Sequence, residues 1–254
     1  MKIMVPVQLV PDLVEELEFN KLKNGLDFEN LAWILNEFDD HAVEQAILLK
    51  EKVGAEVVVV GADWAEMDDA LFTALAKGAD RLIKVSADYE GEGVNNHALA
   101  RIFKPVIEAE KPDLILTGVS NHNGMDGVLG ALLAEGLGIP YVGYVSGVKM
   151  DGAKVVVQKD YPGGLKASME VTLPAVLGIS SAEKPPRYVP ISKVRQAMKT
   201  GRIDEQEGEL ELSGAVPAIV MYEPEAAGKA EMIEGHLDEI INRLVAIIKE
   251  QGLL

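Results

Sequence analysis

The clearest structural signal in this chain is the stretch Leu114-Ile-Leu-Thr-Gly118, which runs directly into Val119-Ser-Asn-His-Asn-Gly-Met-Asp-Gly-Val-Leu-Gly130. A short apolar run ends in a glycine, a polar loop spaced by glycines follows, and an apolar helical pattern extends from Val128 to Leu137. This order predicts a buried strand that leads through a loop into the start of a helix. Such a corner presents backbone N–H groups and the positive end of a helix dipole to an anion. If the chain binds a nucleotide, the pattern predicts its phosphate site here, although an ordinary strand-to-helix turn fits equally well.

Apolar runs alternate with amphipathic helical patterns along the first 140 residues. Further runs lie at 3–9, 56–61 and 79–85, and helical patterns follow them at 42–50, 67–77 and 95–111. Strands that are apolar throughout and alternate with helices form parallel sheets covered on both faces. We therefore predict an α/β fold: a mostly parallel twisted sheet with helices on both faces. Ligands of such sheets bind beyond the carboxyl ends of the strands.

The pattern changes after residue 140. A small hairpin addition is predicted at 143–172, turning at Asp151-Gly152, and residues 182–215 are rich in Pro, Lys, Glu and Ser. We expect an extended arm there with one short helix from Ile191 to Lys199, followed by a terminal amphipathic helix from Lys229 to Glu250. The predicted domains are an α/β domain at 1–180, which would hold any nucleotide, and an extended arm with the C-terminal helix at 181–254, which is either a spacer or a partner-docking arm.

The composition narrows the classes of function. A net charge of −17 makes nucleic acid a poor partner, because phosphate binding needs clustered lysine and arginine. Cysteine is absent, which excludes disulfides, thiolate metal sites and cysteine nucleophiles. No apolar run reaches the roughly 18 residues that span a bilayer, and the first residues lack a signal-peptide pattern. We expect a soluble, cytoplasmic protein without direct membrane insertion.

Motifs for catalysis are missing from the sequence. There is no Gly-x-Ser-x-Gly elbow, no P-loop and no strict Gly-x-Gly-x-x-Gly after the first strand. The four histidines show no metal-ligand spacing, so we predict neither a catalytic residue nor a metal site: His41, His97, His122 and His236. Of these, only His122 lies in the glycine-spaced loop, where it would either hydrogen-bond a phosphate or be solvated.

Two segments each allow a structural and a functional interpretation. Asn36-Glu-Phe-Asp39 precedes a helix that Asn36 or Asp39 could cap, and its backbone could also meet an adenine or ribose at the sheet edge. Pro185-Pro186-Arg187-Tyr188 is rigid and extended, because each proline restricts its own φ and the residue before it. It is either a spacer or, together with Ile191, a docking tip.

An ordered series of motifs resembles the β subunit of electron-transfer flavoproteins. The family's characteristic segments are similar to Ile3–Val10, Asn36–Glu51, Thr73–Arg81, Pro162–Leu165, Leu173–Val176 and Pro186–Tyr188. Each match is weak alone, but together they run in order from residue 3 to about 200. Two departures stand out: Glu37 replaces the family's usual proline, and the loop at 121–130 lacks its usual glutamine.

The resemblance implies a Rossmann-like fold of the kind that binds adenine nucleotides. It also implies an electron carrier and not an enzyme. It implies an obligate heterodimer with an α subunit, an FAD held by or shared with that subunit, and either AMP or a second FAD in the β subunit. Electrons would pass from flavin dehydrogenases of the acyl-CoA dehydrogenase type to a quinone reductase or similar acceptor, or within a flavin-based bifurcating complex. The alternative is a stand-alone adenine-nucleotide-binding enzyme or sensor on the same fold.

The resemblance also assigns site residues by position. The family's nucleotide contacts fall on the strand-end loops, at Pro6, Asn36, Glu37, Phe38, Asp39, Ala62, Asn121, His122, Asn123, Gly124, Met125, Asp126, Gly127 and Val128. Its partner-recognition loop, through which the dehydrogenase docks, falls on 181–203, with Arg187 and Tyr188 at its start and Ile191 as the apolar anchor. An acidic residue that reaches toward the flavin domain falls on Asp160.

Overall fold

The computed structural model describes residues 1–27, 31–87, 95–124, 126–209, 222, 228, 230 and 232–253. The chain forms two compact units, Met1–Ile219 and Val220–Leu254. The first unit is an α/β fold built around one nine-stranded sheet. Nowhere in the described part of the chain is a helix both long and apolar enough to cross a membrane.

The first unit contains eleven described strands and five described helices. The strands are β1 (Lys2–Val7), β2 (Leu9–Pro11), β3 (Trp33–Leu35), β4 (Glu56–Ala62), β5 (Arg81–Ser86), β6 (Leu114–Gly118), β7 (Tyr141–Asp151), β8 (Lys154–Asp160), β9 (Lys166–Thr172), β10 (Ala175–Ile179) and β11 (Ile203–Glu207). The helices are α1 (Glu37–Val53), α2 (Met67–Lys77), α3 (Asn96–Glu110), α4 (Leu129–Leu137) and α5 (Ile191–Thr200).

The main sheet confirms the predicted class. Its strand order is β11-β5-β4-β1-β6-β10-β7-β8-β9, and all pairs from β11 to β7 are parallel. The central strands are buried almost throughout because helices cover both faces. Val43 of α1 and Leu71 of α2 pack into one core, whereas Phe103 of α3 and Leu133 of α4 pack into the other.

The first predicted strand is split in the structure. Instead of running to Leu9, β1 ends at Val7, and β2 pairs antiparallel with β3, a short strand that the sequence did not predict. The interruption is at Gln8, whose backbone N–H donates to the carboxylate of Asp39 at 2.9 Å and whose carbonyl accepts from the N–H of Asn36 at 3.0 Å. These bonds replace pairing in the main sheet and turn the chain toward the start of α1.

The predicted hairpin extends the central sheet. Strand β7 begins at Tyr141 as a parallel neighbour of β10 and then continues into antiparallel pairing with β8, which pairs in turn with β9. Between β8 and β9, Gly163 and Gly164 have φ values of +78° and +76°, as expected for a sharp turn at this pair.

Part of the predicted arm belongs to the sheet. The short helix is confirmed as α5, but Ile203–Glu207 forms β11 and adds an edge strand beside β5, with Ile203 opposite Leu82. The sequence Ile-Asp-Glu-Gln-Glu has one apolar residue in five, so its composition does not indicate a strand. Pairing with the exposed edge of β5 supplies the hydrogen bonds that make it one.

The second unit contains α6 (Leu237–Glu250). The helix begins later than the predicted Lys229, because Gly235 adopts a φ of +137° and a capping arrangement forms directly after it. There the carboxylate of Glu239 accepts a hydrogen bond from the backbone N–H of His236 at 3.1 Å.

Candidate functional site

A crevice opens at the carboxyl ends of β1 and β6. The two strands are neighbours, but the helices that follow them, α1 and α4, pack on opposite faces of the sheet. Such a reversal is where open α/β sheets bind ligands. The residues lining the crevice are Gln8, Asp39, Asn96, Gly118, Val119, Ser120, Asn121, Gly127 and Leu129.

Asp39 joins the ends of the two strands. One carboxylate oxygen accepts the backbone N–H of Gly118 and the other accepts the backbone N–H of Gln8, both at 2.9 Å. The residue is only 2% exposed, and this burial raises the pKa of its carboxyl to about 7 despite the hydrogen bonds, which lower it. Asp39 is therefore a cross-link between α1 and both strands, and the prediction that it could cap α1 is wrong.

Asn36 occupies the N-cap position of α1, but its side chain does not cap the helix. Its Nδ2 donates to the carbonyl of Ser120 at 2.9 Å and so joins the start of α1 to the loop after β6. Of the next two residues, Glu37 is exposed and Phe38 is half-buried, with its Cβ 2.8 Å from the place that a Cβ on Gly118 would occupy. The segment thus packs its backbone against the sheet edge.

Amide side chains organise the loop after β6. The backbone N–H of Gly124 donates to Oδ1 of Asn121, and Nδ2 of Asn121 donates to the side-chain oxygen of Gln8 at 3.1 Å. Asn96, which is buried at the start of α3, donates to the carboxylate of Asp126. The loop is therefore held by polar contacts to α3 and to Gln8, which follows β1.

Two glycines let the backbone come close to the crevice. A Cβ on Gly118 would lie 2.5 Å from Oδ1 of Asp39. Gly127 has a φ of +60°, and a Cβ there would lie 2.7 Å from the carbonyl oxygen of Val119. Helix α4 starts two residues later, and the first N–H groups of a helix have no acceptor within it. This corner can bind an anion through its backbone.

An apolar cleft adjoins the crevice and shares Gln8 with it. Its lining residues come from the ends of β1 and β4, the starts of α2 and α3, and the loop: Val7, Gln8, Leu9, Ala62, Trp64, Met67, Leu99 and Asn123. Apolar walls with a few polar groups are typical of sites that bind a planar organic group. An apolar cleft beside an anion-binding corner is the arrangement that a nucleotide requires.

The structure brings most of the predicted nucleotide-binding residues to this edge. Ala62 and Asn123 line the cleft, whereas Pro6 is buried within β1 opposite Val60. His122 is exposed, and its Nε2 lies 2.7 Å from the carbonyl oxygen of Pro11. The prediction for Met125 falls outside the described residues.

The sequence-based prediction places Gln8 only within the sheet edge at residues 6–10, where adenosine is expected, and it gives no role to Asn96 or Leu99. Gln8 directly follows the buried part of the first strand, a position that usually faces the ligand side of a parallel sheet. That placement was an available signal for Gln8. Asn96 and Leu99 come from a helix that is distant in sequence, so only the fold brings them here.

Comparison with known proteins agrees with this geometry. A family model described as "Electron transfer flavoprotein domain" matches residues 25–210, well over half of the chain. The chain belongs to the electron transfer flavoprotein family. Family membership makes it an electron-carrier subunit associated with flavin, rather than an enzyme that converts a substrate.

Three curated relatives of the chain are named electron transfer flavoprotein subunit beta. The protein from Methylophilus methylotrophus is 32% identical over 262 residues and the alignment covers 98% of each chain. The one from Thermoanaerobacterium thermosaccharolyticum is 29% identical with complete coverage of both chains, and the one from Mus musculus is 29% identical over 99% of this chain and 98% of its own. The β-subunit name implies pairing with an α subunit.

The predicted recognition segment, residues 181–203, is bound to α1 near its start by Arg187. The guanidinium of Arg187 binds Glu44, which is 3% exposed, at 2.9 Å and also binds Glu51 at 2.7 Å. These bonds raise the pKa of Arg187 and lower that of Glu51. Side chains of α1 also accept the backbone N–H groups of Ala182 and Glu183. Arg187 thus holds the segment on α1.

Beyond this anchor the recognition segment is exposed. Tyr188 is 85% exposed and Ile191, the first residue of α5, is 68% exposed. Helix α5 packs against α2, and Ala197 is the buried residue of α5. The two large side chains therefore stand on a supported backbone while remaining accessible.

Asp160 lies at the end of β8 within a polar cluster. It accepts a hydrogen bond from Oγ of Ser146 and pairs with Nζ of Lys166, both at 3.0 Å. The contact with Lys166 is the main reason why the pKa of Asp160 is lowered. Throughout the described ranges, no group of three or more histidine or acidic side chains is arranged to hold a metal ion.

Proposed function

We propose that the chain is the β subunit of a heterodimeric electron transfer flavoprotein that carries electrons from flavin dehydrogenases, of the acyl-CoA dehydrogenase type, to a quinone reductase or similar acceptor. The observation that carries this proposal is the paired site at the edge of the sheet, an anion-binding corner beside an apolar cleft, in a chain of this family. We also propose that the complex works in the cytoplasm.

The β subunit holds an adenine nucleotide, either AMP or a second FAD. Its phosphate lies on the backbone N–H groups of residues 123–128, where it replaces the contacts that the N–H groups of Gly124 and Asp126 make within the loop. Its base lies in the cleft beside Ala62. Support comes from Gly127, whose positive φ and missing Cβ leave room for close approach, and from Asp39, which fixes the ends of both strands. When bound, the redox-active FAD shared with the α subunit supplies the electron chemistry. This chain binds, orients and shields the nucleotide.

The segment 181–203 docks the dehydrogenase, with Ile191 as the apolar anchor. From residue 184 to 202 the sequence contains six basic residues and no acidic residue, although the whole chain carries a net charge of −17. The basic residues are Lys184, Arg187, Lys193, Arg195, Lys199 and Arg202. The docking surface of the dehydrogenase is therefore acidic around an apolar pocket, because such a patch attracts the segment and accepts Ile191. Asp160 faces the flavin domain of the α subunit.

The deciding experiment is co-expression of the chain with an α subunit. The purified complex is expected to be a yellow heterodimer, and acid extraction followed by mass analysis should release FAD and either AMP or a second FAD. Reduced acyl-CoA dehydrogenase should then bleach the flavin of the complex. A stable, colourless monomer that hydrolyses nucleotides would overturn the proposal in favour of a stand-alone enzyme or sensor.

A further inference from the structure

Both tryptophans of the chain meet at the apolar cleft. Trp33 lies on β3 and Trp64 follows β4, and their ring centroids are 4.9 Å apart with an angle of 83° between the planes. This is an edge-to-face pair, a favoured geometry for aromatic rings. Trp64 lines the cleft itself. The pair therefore places one indole at the ligand side and a second indole against it.

The backbone around Trp64 is shaped to hold the ring at this place. The N–H of Trp64 donates to the carbonyl of Ala62 at 2.8 Å, which closes a tight turn directly after β4. The next residue, Ala65, has a φ of +49°, a left-handed conformation that L residues rarely adopt. Such strain persists where the surroundings determine the geometry and is concentrated at ligand sites.

The other residues that line the cleft are aliphatic or polar, so Trp64 is the aromatic ring on which a base could stack. Leu99 of α3 and Met67 of α2 are buried and apolar, while Gln8 and Asn123 supply the polar groups at the margin. A planar base that enters the cleft gains most of its binding free energy by stacking on the flat face of an indole. A two-ring purine covers more of that face than a pyrimidine does.

We propose that Trp64 positions the base of the bound nucleotide and selects a purine, and that Trp33, which packs against it at nearly a right angle, holds the Trp64 ring in place. This inference rests on the proposed function, since it takes this edge of the sheet as the nucleotide site. It adds a specificity-determining residue to a site whose phosphate contacts are made by the backbone and therefore cannot distinguish bases.

The test uses the heterodimer stripped of its β-site nucleotide and reloaded with AMP, UMP or ribose 5-phosphate, with Kd measured by equilibrium dialysis. Trp64→Ala is expected to weaken AMP about tenfold or more, because stacking of a base on an aromatic residue contributes on that scale. Binding of ribose 5-phosphate should stay within about twofold, since its phosphate site is unchanged. Trp64→Phe should retain most of the AMP affinity, and Trp33→Phe should cause a smaller loss.

Several outcomes would overturn the inference. If Trp64→Ala weakens the binding of AMP and of ribose 5-phosphate equally, the ring only packs the core. If AMP binding is unaffected, the base lies elsewhere. If the alanine variant unfolds, Trp64→Leu gives the same comparison, because leucine still fills the space with an apolar side chain. The ratio of its affinities for AMP and UMP should fall toward one. Wild-type heterodimer that binds none of the three ligands would overturn the proposed nucleotide site itself. Normal wild-type binding that is indifferent to Trp64 would overturn only the present inference.

Discussion

Asp39 and Gly118 lie 79 residues apart in the chain, yet Oδ1 of the aspartate accepts the backbone N–H of the glycine at 2.9 Å. The second oxygen of the same carboxylate accepts the N–H of Gln8. One buried side chain therefore sets the distance between β1 and β6 at the point where the crevice opens. The proposed nucleotide site depends on this relationship, because the loop that would supply its backbone donors begins directly after Gly118.

Replacement of Asp39 by asparagine is expected to reduce the nucleotide content of the heterodimer and to destabilise the chain by about 1–3 kcal/mol. Asparagine keeps one acceptor, but its NH2 group would face a backbone N–H and leave that N–H unsatisfied. Acid extraction and chemical denaturation measure the two effects. Asp69→Asn is the matched control, since Asp69 is an exposed carboxylate in the first turn of α2 and the substitution is the same. If both variants behave alike, the cross-link has no role in nucleotide retention.

The raised pKa of Asp39 predicts a pH dependence of stability. The folded chain holds this proton up to about pH 7, whereas the unfolded chain releases it near the ordinary value of 3.8. The folded state therefore binds more protons between these values, so the contribution of Asp39 to the unfolding free energy falls as the pH rises from about 4 to 7. Denaturation of wild type and Asp39→Asn across this window should show the difference, and parallel pH profiles would contradict it.

Gly127→Val is expected to empty the nucleotide site. The Cβ would meet the carbonyl oxygen of Val119 at 2.7 Å, and the side chain would block the approach of a phosphate. Gly138→Val is a matched control, because Gly138 has a similar φ of +66° and a Cβ there would meet no described atom within 4 Å. Both variants carry backbone strain, but only the first should lose nucleotide on extraction. Full occupancy in Gly127→Val would show that the phosphate lies elsewhere.

Gly124→Val, in the same loop, should also lower nucleotide occupancy, since its Cβ would lie 3.0 Å from Nδ2 of Asn96.

Ile191→Ala is expected to slow electron transfer from the dehydrogenase by about tenfold, which is typical of truncating an apolar anchor at an interface. Flavin and nucleotide contents should not change, because the side chain is exposed and far along the chain from the residues of the crevice. Rapid mixing with reduced dehydrogenase measures the rate. Met198→Ala, on the same helix and less exposed, provides the control. An equal loss of flavin would indicate a folding defect instead of a docking defect.

Arg187→Ala is expected to lower the unfolding free energy by about 2–3 kcal/mol, because the buried carboxylate of Glu44 keeps the backbone N–H of residue 187 but loses its charged partner. The loss lies below the usual range for a fully buried pair because the guanidinium is 31% exposed. The double variant with Glu44→Gln should recover part of this loss, which a double-mutant cycle would reveal. Additive losses would mean that Glu44 and Arg187 do not act as a pair.

The position of the candidate site could be predicted from the residues alone, but the side-chain contacts that hold it together could not. The run at 114–118 and its glycine-spaced loop are sufficient to predict a strand, a helix start and an anion-binding corner between them. Asn36 and Asp39 show the limit of such reasoning. Both look like caps, because local pattern cannot reveal a partner that lies about 80 residues away in the chain. Their side chains instead bind the loop after β6.

The alternation of apolar runs with amphipathic helices is a property of the amino-acid pattern, and it is enough to determine a parallel α/β sheet, since only strands covered on both faces can be apolar throughout. Other features were decided in three dimensions. Strand β11 exists because the edge of β5 is open to it, Arg187 is an anchor because α1 presents Glu44 beneath it, and Trp64 meets Trp33 because β2 and β3 fold beside the cleft. Each depends on contacts between distant segments, which no local pattern encodes.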